Sequence, residues 1–217
     1  QPKVALSKIQ RGIHLARKTG RTATMADGQV SLGVCYLEAG NLAAAERGLH
    51  EGLRLADSIP HAYLAVHATL ALAQVKLAAG SVDDARIARM QAEDAIERSQ
   101  SADLNWGVIM GRSILARALK ILGKRERAIE ESRQALALLD NGEVHALEEV
   151  LYHHAQVLPD EPEHAEERRQ AIARAREVIM HRRDRIPDDA NRAIYMNRPL
   201  NRQIINMAQL LKEPAEI

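Results

Sequence analysis

The chain has 217 residues, 46% of them apolar and 27% charged, with 30 Lys plus Arg against 29 Asp plus Glu; this excludes a disordered chain and argues against binding nucleic acid by bulk charge. A single cysteine, Cys35, excludes a disulfide framework and a multi-cysteine zinc site and makes a reducing, cytoplasmic setting the expectation, while no apolar run approaches membrane-spanning length and no signal-peptide pattern opens the chain. With no Phe, 2% aromatic residues and abundant Ala, a β-sandwich or barrel is disfavoured, and helices packed through small side chains fit better.

In chain order, Val4 to Lys18 carries Val4, Ile9, Ile13 and Leu15-Ala16 at helical spacing and ends before Gly20. It reads as the second helix of a truncated repeat over 1–20, and with Gln1 at the start it suggests a chain excerpted from a longer protein. Gly40, Gly80 and Gly123 each follow an apolar helical run and precede a new helix start. Asn41 and Ser81 are N-cap residues, so the first two joints are tight helix–turn–helix turns; Gly123 is followed by Lys124 and lacks that cap. The joints lie 40 and 43 residues apart, a period that marks a helical repeat and sets units over 21–60, 61–101 and 102–142. Around each joint a large residue precedes a small one, in Leu32-Gly33, Leu72-Ala73 and Leu115-Ala116. Ala45, Ala85 and Ala128 stand five residues past the glycines. Small residues at these places let the two helices of a pair approach closely. A looser fourth unit over 143–186 has a helix from Leu147 to Leu158, a break at Pro159-Asp160-Glu161-Pro162, and an Arg/Ala-rich helix from about His164 to Arg185; after Gly142 no glycine occurs. Residues 187–217 form a cap or tail.

Leu32-Gly33, Tyr36, Gly40 and Ala45 resemble the tetratricopeptide repeat. Weaker copies follow in Leu72-Ala73, Gly80, Ala85 and Ala92, and in Leu115-Ala116, Leu119, Gly123, Ala128 and Ala135. Lys76 departs at the place of Tyr36, Gly52 at that of Ala92 and Ala135, and the period exceeds the usual length. The resemblance implies an all-α, right-handed superhelix of about four helix–turn–helix repeats with a C-terminal capping helix, forming one continuous domain. Its concave face would be lined by first helices: Asp27, Val30, Val34, Leu37 and Glu38; then His67, Leu70, Gln74 and Leu77; then Met110, Ser113, Arg117 and Lys120. That lining is mixed in polarity and suits an extended peptide or a helix better than a small rigid metabolite; the same residues can equally serve packing between repeats.

The tail residues Ile186-Pro187-Asp188, Arg192, Tyr195-Met196-Asn197, Pro199 and Arg202 are similar to the segment closing the helical-repeat region of large bacterial signalling proteins, in which an ATPase precedes the repeats. This implies a non-catalytic interaction, scaffold or sensor module of a larger regulator. Its partner would be a protein, a peptide or another domain of the full-length chain, without cofactor or membrane. Self-association into a homodimer is the competing reading.

Catalytic chemistry is weakly marked. No Gly-rich phosphate loop is present; Gly28 and Gly33 bracket a helix start without a strand before it, and Gly107 and Gly111 suit close helix contact. Glu149 and His153 stand four apart with His154 adjacent and His145 two turns back. These offer a metal centre only two facing ligands, so surface or groove histidines are the simpler reading. Cys35 has no base beside it in sequence and reads as a small packed residue. Trp106 opens the first helix of the third unit, as a hot-spot anchor or as a seal between units. From Arg168 to Arg202 there are ten Arg against four acids, a local net of +6. Arg174, Arg182, Arg183 and Arg185 would carry this basic patch. It reads as the wet face of a capping helix, as a dock for an acidic protein, or, least favoured, as a nucleic-acid site without stacking aromatics.

Overall fold

The computed structural model describes residues 2–139 and 146–211, the side chains of 2 and 3 excepted; Gly142, His145 and Pro214 lie outside the described residues. Eleven α-helices follow one another and no strand occurs among the described residues: α1 (Pro2–Lys18), α2 (Thr22–Glu38), α3 (Leu42–Ser58), α4 (Ala62–Ala79), α5 (Val82–Ser101), α6 (Asn105–Ile121), α7 (Arg125–Leu139), α8 (Leu147–Val157), α9 (Pro162–Asp184), α10 (Asp189–Met196) and α11 (Pro199–Leu210).

The turns follow from their residues. Gly80 holds φ +83° at the end of α4, a left-handed conformation that a Cβ would oppose. The Asn41 side chain accepts from the Ala44 amide at 3.2 Å, and Ser81 Oγ from the Asp84 amide at 3.0 Å, each satisfying a donor that the helix leaves unpaired. His61 caps α4 by accepting from the Leu64 amide through Nδ1, a role that its residue type does not advertise. Gly28 and Gly33 fall inside α2 and do not bracket a helix start. They are packing positions: a Cβ on Gly28 would meet Ile13 Cγ1 of α1 at 2.5 Å.

Each helix through α9 packs on its neighbour in sequence, and α2, α4, α6 and α8 also touch in succession. Helices α2, α4, α6 and α8 thus form one layer, with α3, α5 and α7 packed chiefly across it. Backbones approach closely between the layers. A Cβ on Gly33 would lie 2.5 Å from Leu49 Cγ, one on Gly52 2.7 Å from Val30 Cγ2, and one on Gly111 2.6 Å from Ile96 Cγ1. A Cβ on Gly48 would lie 3.3 Å from the Gly33 backbone, and one on Gly107 would meet Ser99 and Val66. Where glycine is replaced along the same seam, alanine takes over: Ala45, Ala88, Ala92, Ala95 and Ala135 are all fully buried.

Apolar residues of α4 and α6, including Val66, Leu72, Ile109, Ile114 and Leu119, form the centre of the core. It continues through Leu151, Ile172, Ile179 and Ile204 into α9 and α11. The composition of α4 corrects one expectation, because its 18 residues are long and apolar enough to cross a membrane. Within this fold 61% of that helix is buried by its neighbours, and a helix apolar on all sides is what a central position requires. The C-terminal region also differs from a single capping helix. After α9 the chain turns at Ile186-Pro187, and α10 and α11 both pack back on α9. Asp188 starts α10 by accepting from the amides of Ala190 and Asn191.

The seam makes a prediction. Gly52→Leu, which must displace Val30 and the α2 backbone, lowers unfolding stability by about 2 kcal/mol. Gly12→Ala, on the open face of α1 with nothing within 4 Å, raises it by about 0.5–1 kcal/mol. Urea denaturation of the two variants checks both signs; a neutral Gly52→Leu contradicts the packing account.

Candidate functional site

Along α4, Tyr63, His67, Leu70 and Gln74 stand at successive helical turns and face one way; Trp106 and Met110 continue that surface on α6, and Val34, Leu37 and Glu38 on α2. Together they line a cleft of about 790 Å³, closed on its far side by Ala146 and Glu149 near the start of α8 and by Arg198, Pro199, Leu200 and Gln203 at the start of α11. This volume lies within the range of ligand clefts, and the lining, mostly apolar with a few polar groups, is also of that kind.

The cleft has an aromatic end and a charged end. Tyr63 and Trp106 meet at a tilt of 49° with ring centroids 4.9 Å apart, and His67 meets Trp106 edge-on at 6.1 Å. Burial holds the His67 imidazole below its usual pKa, opposed by the charge of Asp27. At the other end Glu149 Oε1 accepts from Gln74 Nε2 at 2.7 Å. Burial pushes the Glu149 carboxyl up, against the pull of Arg117. At the rim Arg198 donates to Glu38 Oε1 at 3.3 Å, so a residue of α11 meets one of α2 across 160 positions of sequence.

Seven of the thirteen residues expected on the concave face line this cleft: Val34, Leu37, Glu38, His67, Leu70, Gln74 and Met110. The other six do not. Val30 is fully buried against Gly52, Leu77 packs into the core, and Ser113 is buried with its hydroxyl 2.9 Å from His153 Nδ1. Arg117 faces Glu149 and Tyr152, and the Lys120 ammonium donates to the Gln156 carbonyl. For Ser113, Arg117 and Lys120 the cause is α8, which lies on α6 and covers its C-terminal half. Asp27 is exposed and acts on His67 from outside the lining. Tyr63 was within reach of the sequence, since it is one turn before His67 on the same stripe, and Trp106, read there as an anchor or a seal, lines the cleft one turn before Met110. Arg198, Pro199 and Leu200 carry no such signal, because they come from beyond the repeats.

The histidines proposed for a metal do not converge. His153 turns to Ser113 of α6, whereas His154 Nδ1 lies 2.9 Å from Ser132 Oγ on α7, with its Nε2 3.1 Å from Glu167. Burial drives the His153 pKa well below the usual value, helped by Arg117, and burial also lowers that of His154 against the pull of Glu167. Among the described residues, the group whose ligand atoms lie close enough to hold an ion is Glu161, Glu163 and His164. It is largely exposed, and Glu161 already pairs with Arg125. Cys35 is half-buried, and burial and Glu38 raise its thiol pKa, which leaves it a poor nucleophile.

The arginine-rich stretch is less cationic than its local tally. Acids outside it reach in: Glu148 pairs with Arg182, Asp160 with Arg168 and Glu166 with Arg169. Arg183 pairs with Asp184 beside it, while Arg174 and Arg185 are exposed.

Among solved structures the chain is similar to the crystal structure of BtubC (BKLC) from P. vanneervenii, with a TM-score of 0.64 and 16% identity over 98% of this chain and 91% of that one. No family model matches the chain, and no curated protein matches it. At that identity the likeness is one of fold, and it supports a helical-repeat-like architecture.

The buried imidazoles predict an acid-sensitive fold. Below about pH 6.5 the unfolded chain takes up protons that folded His67, His153 and His154 refuse, so stability falls as the pH drops. The raised carboxyl of Glu149 works the other way and offsets part of the loss. Urea unfolding between about pH 7.5 and 5.5 shows the decline, at up to about 1.4 kcal/mol per pH unit for each imidazole. His153→Gln, which retains a partner for Ser113, flattens it; an unchanged slope in that variant contradicts the assignment.

Proposed function

We propose that the chain is a tetratricopeptide-like, right-handed superhelix of helix–turn–helix repeats whose cleft binds a peptide or helix of a partner. It serves as a non-catalytic interaction or sensor module of a larger intracellular bacterial regulator. The observation that carries this reading is the continuous apolar wall formed by Val34, Leu37, Leu70 and Met110 from three helices, with polar groups confined to its edges. Such a surface suits side chains presented in series by an extended or helical segment. The enclosing α11 residues shorten the trough that the repeats alone would leave, so the segment engaged is short. The chemistry around the cleft favours recognition over catalysis: His67 in the lining packs edge-on against Trp106, His153 and His154 are buried and spent on serines, and the one thiol has a raised pKa. The membership of a larger regulator rests on the resemblance of the tail.

A second reading, self-association, draws on Val4 and Leu15 of α1, which are 45% and 53% exposed. Sedimentation of the chain separates a monomer with an accessible cleft from a dimer.

Trp106, the sole tryptophan, lines the cleft and reports on its occupancy. Peptides selected from a random displayed library against the full chain are expected to shift Trp106 emission on binding, and Leu37→Arg to weaken them by about tenfold or more. Binders that neither alter that emission nor respond to Leu37→Arg overturn the cleft as the binding surface.

A further inference from the structure

We infer that the cleft selects partner segments carrying an arginine or lysine beside apolar residues, with the cationic head against Glu38 and Glu149 and the apolar neighbours on the wall of Val34, Leu70 and Met110. This inference rests on the cleft being an interaction site and names the chemistry of what enters it.

The charged end of the cleft is rich in acceptors. Two carboxylates, Glu38 and Glu149, share the lining with one cation, Arg198. Gln74 already spends an N–H on Glu149, and Arg117 approaches that carboxylate from the α6 side. Burial penalises the ionised form of Glu149, and an incoming cation relieves that penalty by supplying a countercharge where water is scarce. A carboxylate entering the same space meets two of its own sign. An acidic partner is therefore disfavoured, and a donor-rich cation is favoured.

The chain supplies its own example of the preferred group. Arg198-Pro199-Leu200 lines the cleft, with the guanidinium on Glu38 and the two apolar residues beside it. The pair is held loosely, at 3.3 Å with both side chains more than half exposed, so a second cation can compete for Glu38 at small cost. The helix behind it is fixed. Ile204 is fully buried, Ala208 nearly so, and Asn201 donates to the Tyr195 carbonyl at 2.8 Å. Leu200 and Pro199 thus remain a wall while the Arg198 side chain swings aside. At the opposite end Tyr63, 47% exposed, and Trp106 offer ring faces to an alkyl stem or to a second cation.

The test sequences the peptides selected on the full chain and keeps those that change Trp106 emission. Enrichment of Arg or Lys next to Leu, Val or Pro is expected. Exchanging that basic residue for Gln in the peptide weakens binding about tenfold. Glu149→Gln in the protein removes most of the difference between the two peptides. The peptide exchange leaves the protein untouched, so it decides the matter even if the protein variant folds poorly. Cleft binders without a basic residue, or rich in Asp and Glu, overturn this inference while leaving the cleft as an interaction site. Selection yielding no peptide that alters Trp106 emission removes the cleft reading and this inference with it.

Discussion

Close approach of helix backbones through glycine and alanine is the constraint on which the other features depend. Gly33, Gly48 and Gly52 bring α2 and α3 together so tightly that a Cβ at the first or third of them would enter the neighbouring side chain. Gly107 and Gly111 do the same between α5 and α6. Dispersion between packed atoms falls off steeply with separation, so a chain without Phe and with one Trp obtains dense packing by shortening the distance between axes. Large aliphatic residues such as Leu49, Leu72 and Ile114 then fill the interior completely.

This tight packing also accounts for the shape of the cleft. Helices α2, α4, α6 and α8 touch in succession, and the exposed stripes of the first three form one wall. The layer bends far enough for the start of α11 to return to the end of α2, where Arg198 meets Glu38. Three of the polar groups enclosed by this arrangement are paired within it, whereas Trp106 Nε1 is buried without a partner among the described residues. His153 is matched to Ser113, His154 to Ser132 and Glu149 to Gln74, which meets the requirement that buried polar atoms retain hydrogen-bond partners. The cleft therefore combines an apolar wall with a few fixed polar edges.

Much of this was legible in the amino-acid sequence, for local reasons. Gly40, Gly80 and Gly123 end helices by adopting positive φ, and Asn41 and Ser81 begin the next ones with a side-chain acceptor. These signals act within a few residues and need no knowledge of the rest of the chain. The stripe through Val34, Leu37, Leu70 and Met110 was legible for the same reason, as one face of each helix. What failed depends on neighbours. Val30, Leu77 and Ser113 continue those stripes, but Val30 is covered by Gly52 of α3 and Ser113 by α8, and Leu77 packs into the core. Periodicity locates a face without revealing where the next helix ends on it. The apolar length of α4 was underestimated because His67, Gln74 and Lys76 interrupt it, although Lys76 is spent on Glu46 at 2.7 Å. The contact of Arg198 with Glu38 joins residues that no repeat relates. The tally of the arginine-rich stretch omits acids that lie just before it, Asp160 and Glu166, and one that arrives from α8, Glu148.

The central claim is that tightly packed helix pairs curl until the end of α2 faces the start of α11. Spin labels on Ala39→Cys and Asn197→Cys, both at exposed positions beside the Glu38–Arg198 pair, test it most directly in a Cys35→Ala background. Pulsed electron resonance is expected to return one short, narrow distance distribution. A long or broad distribution would contradict the account.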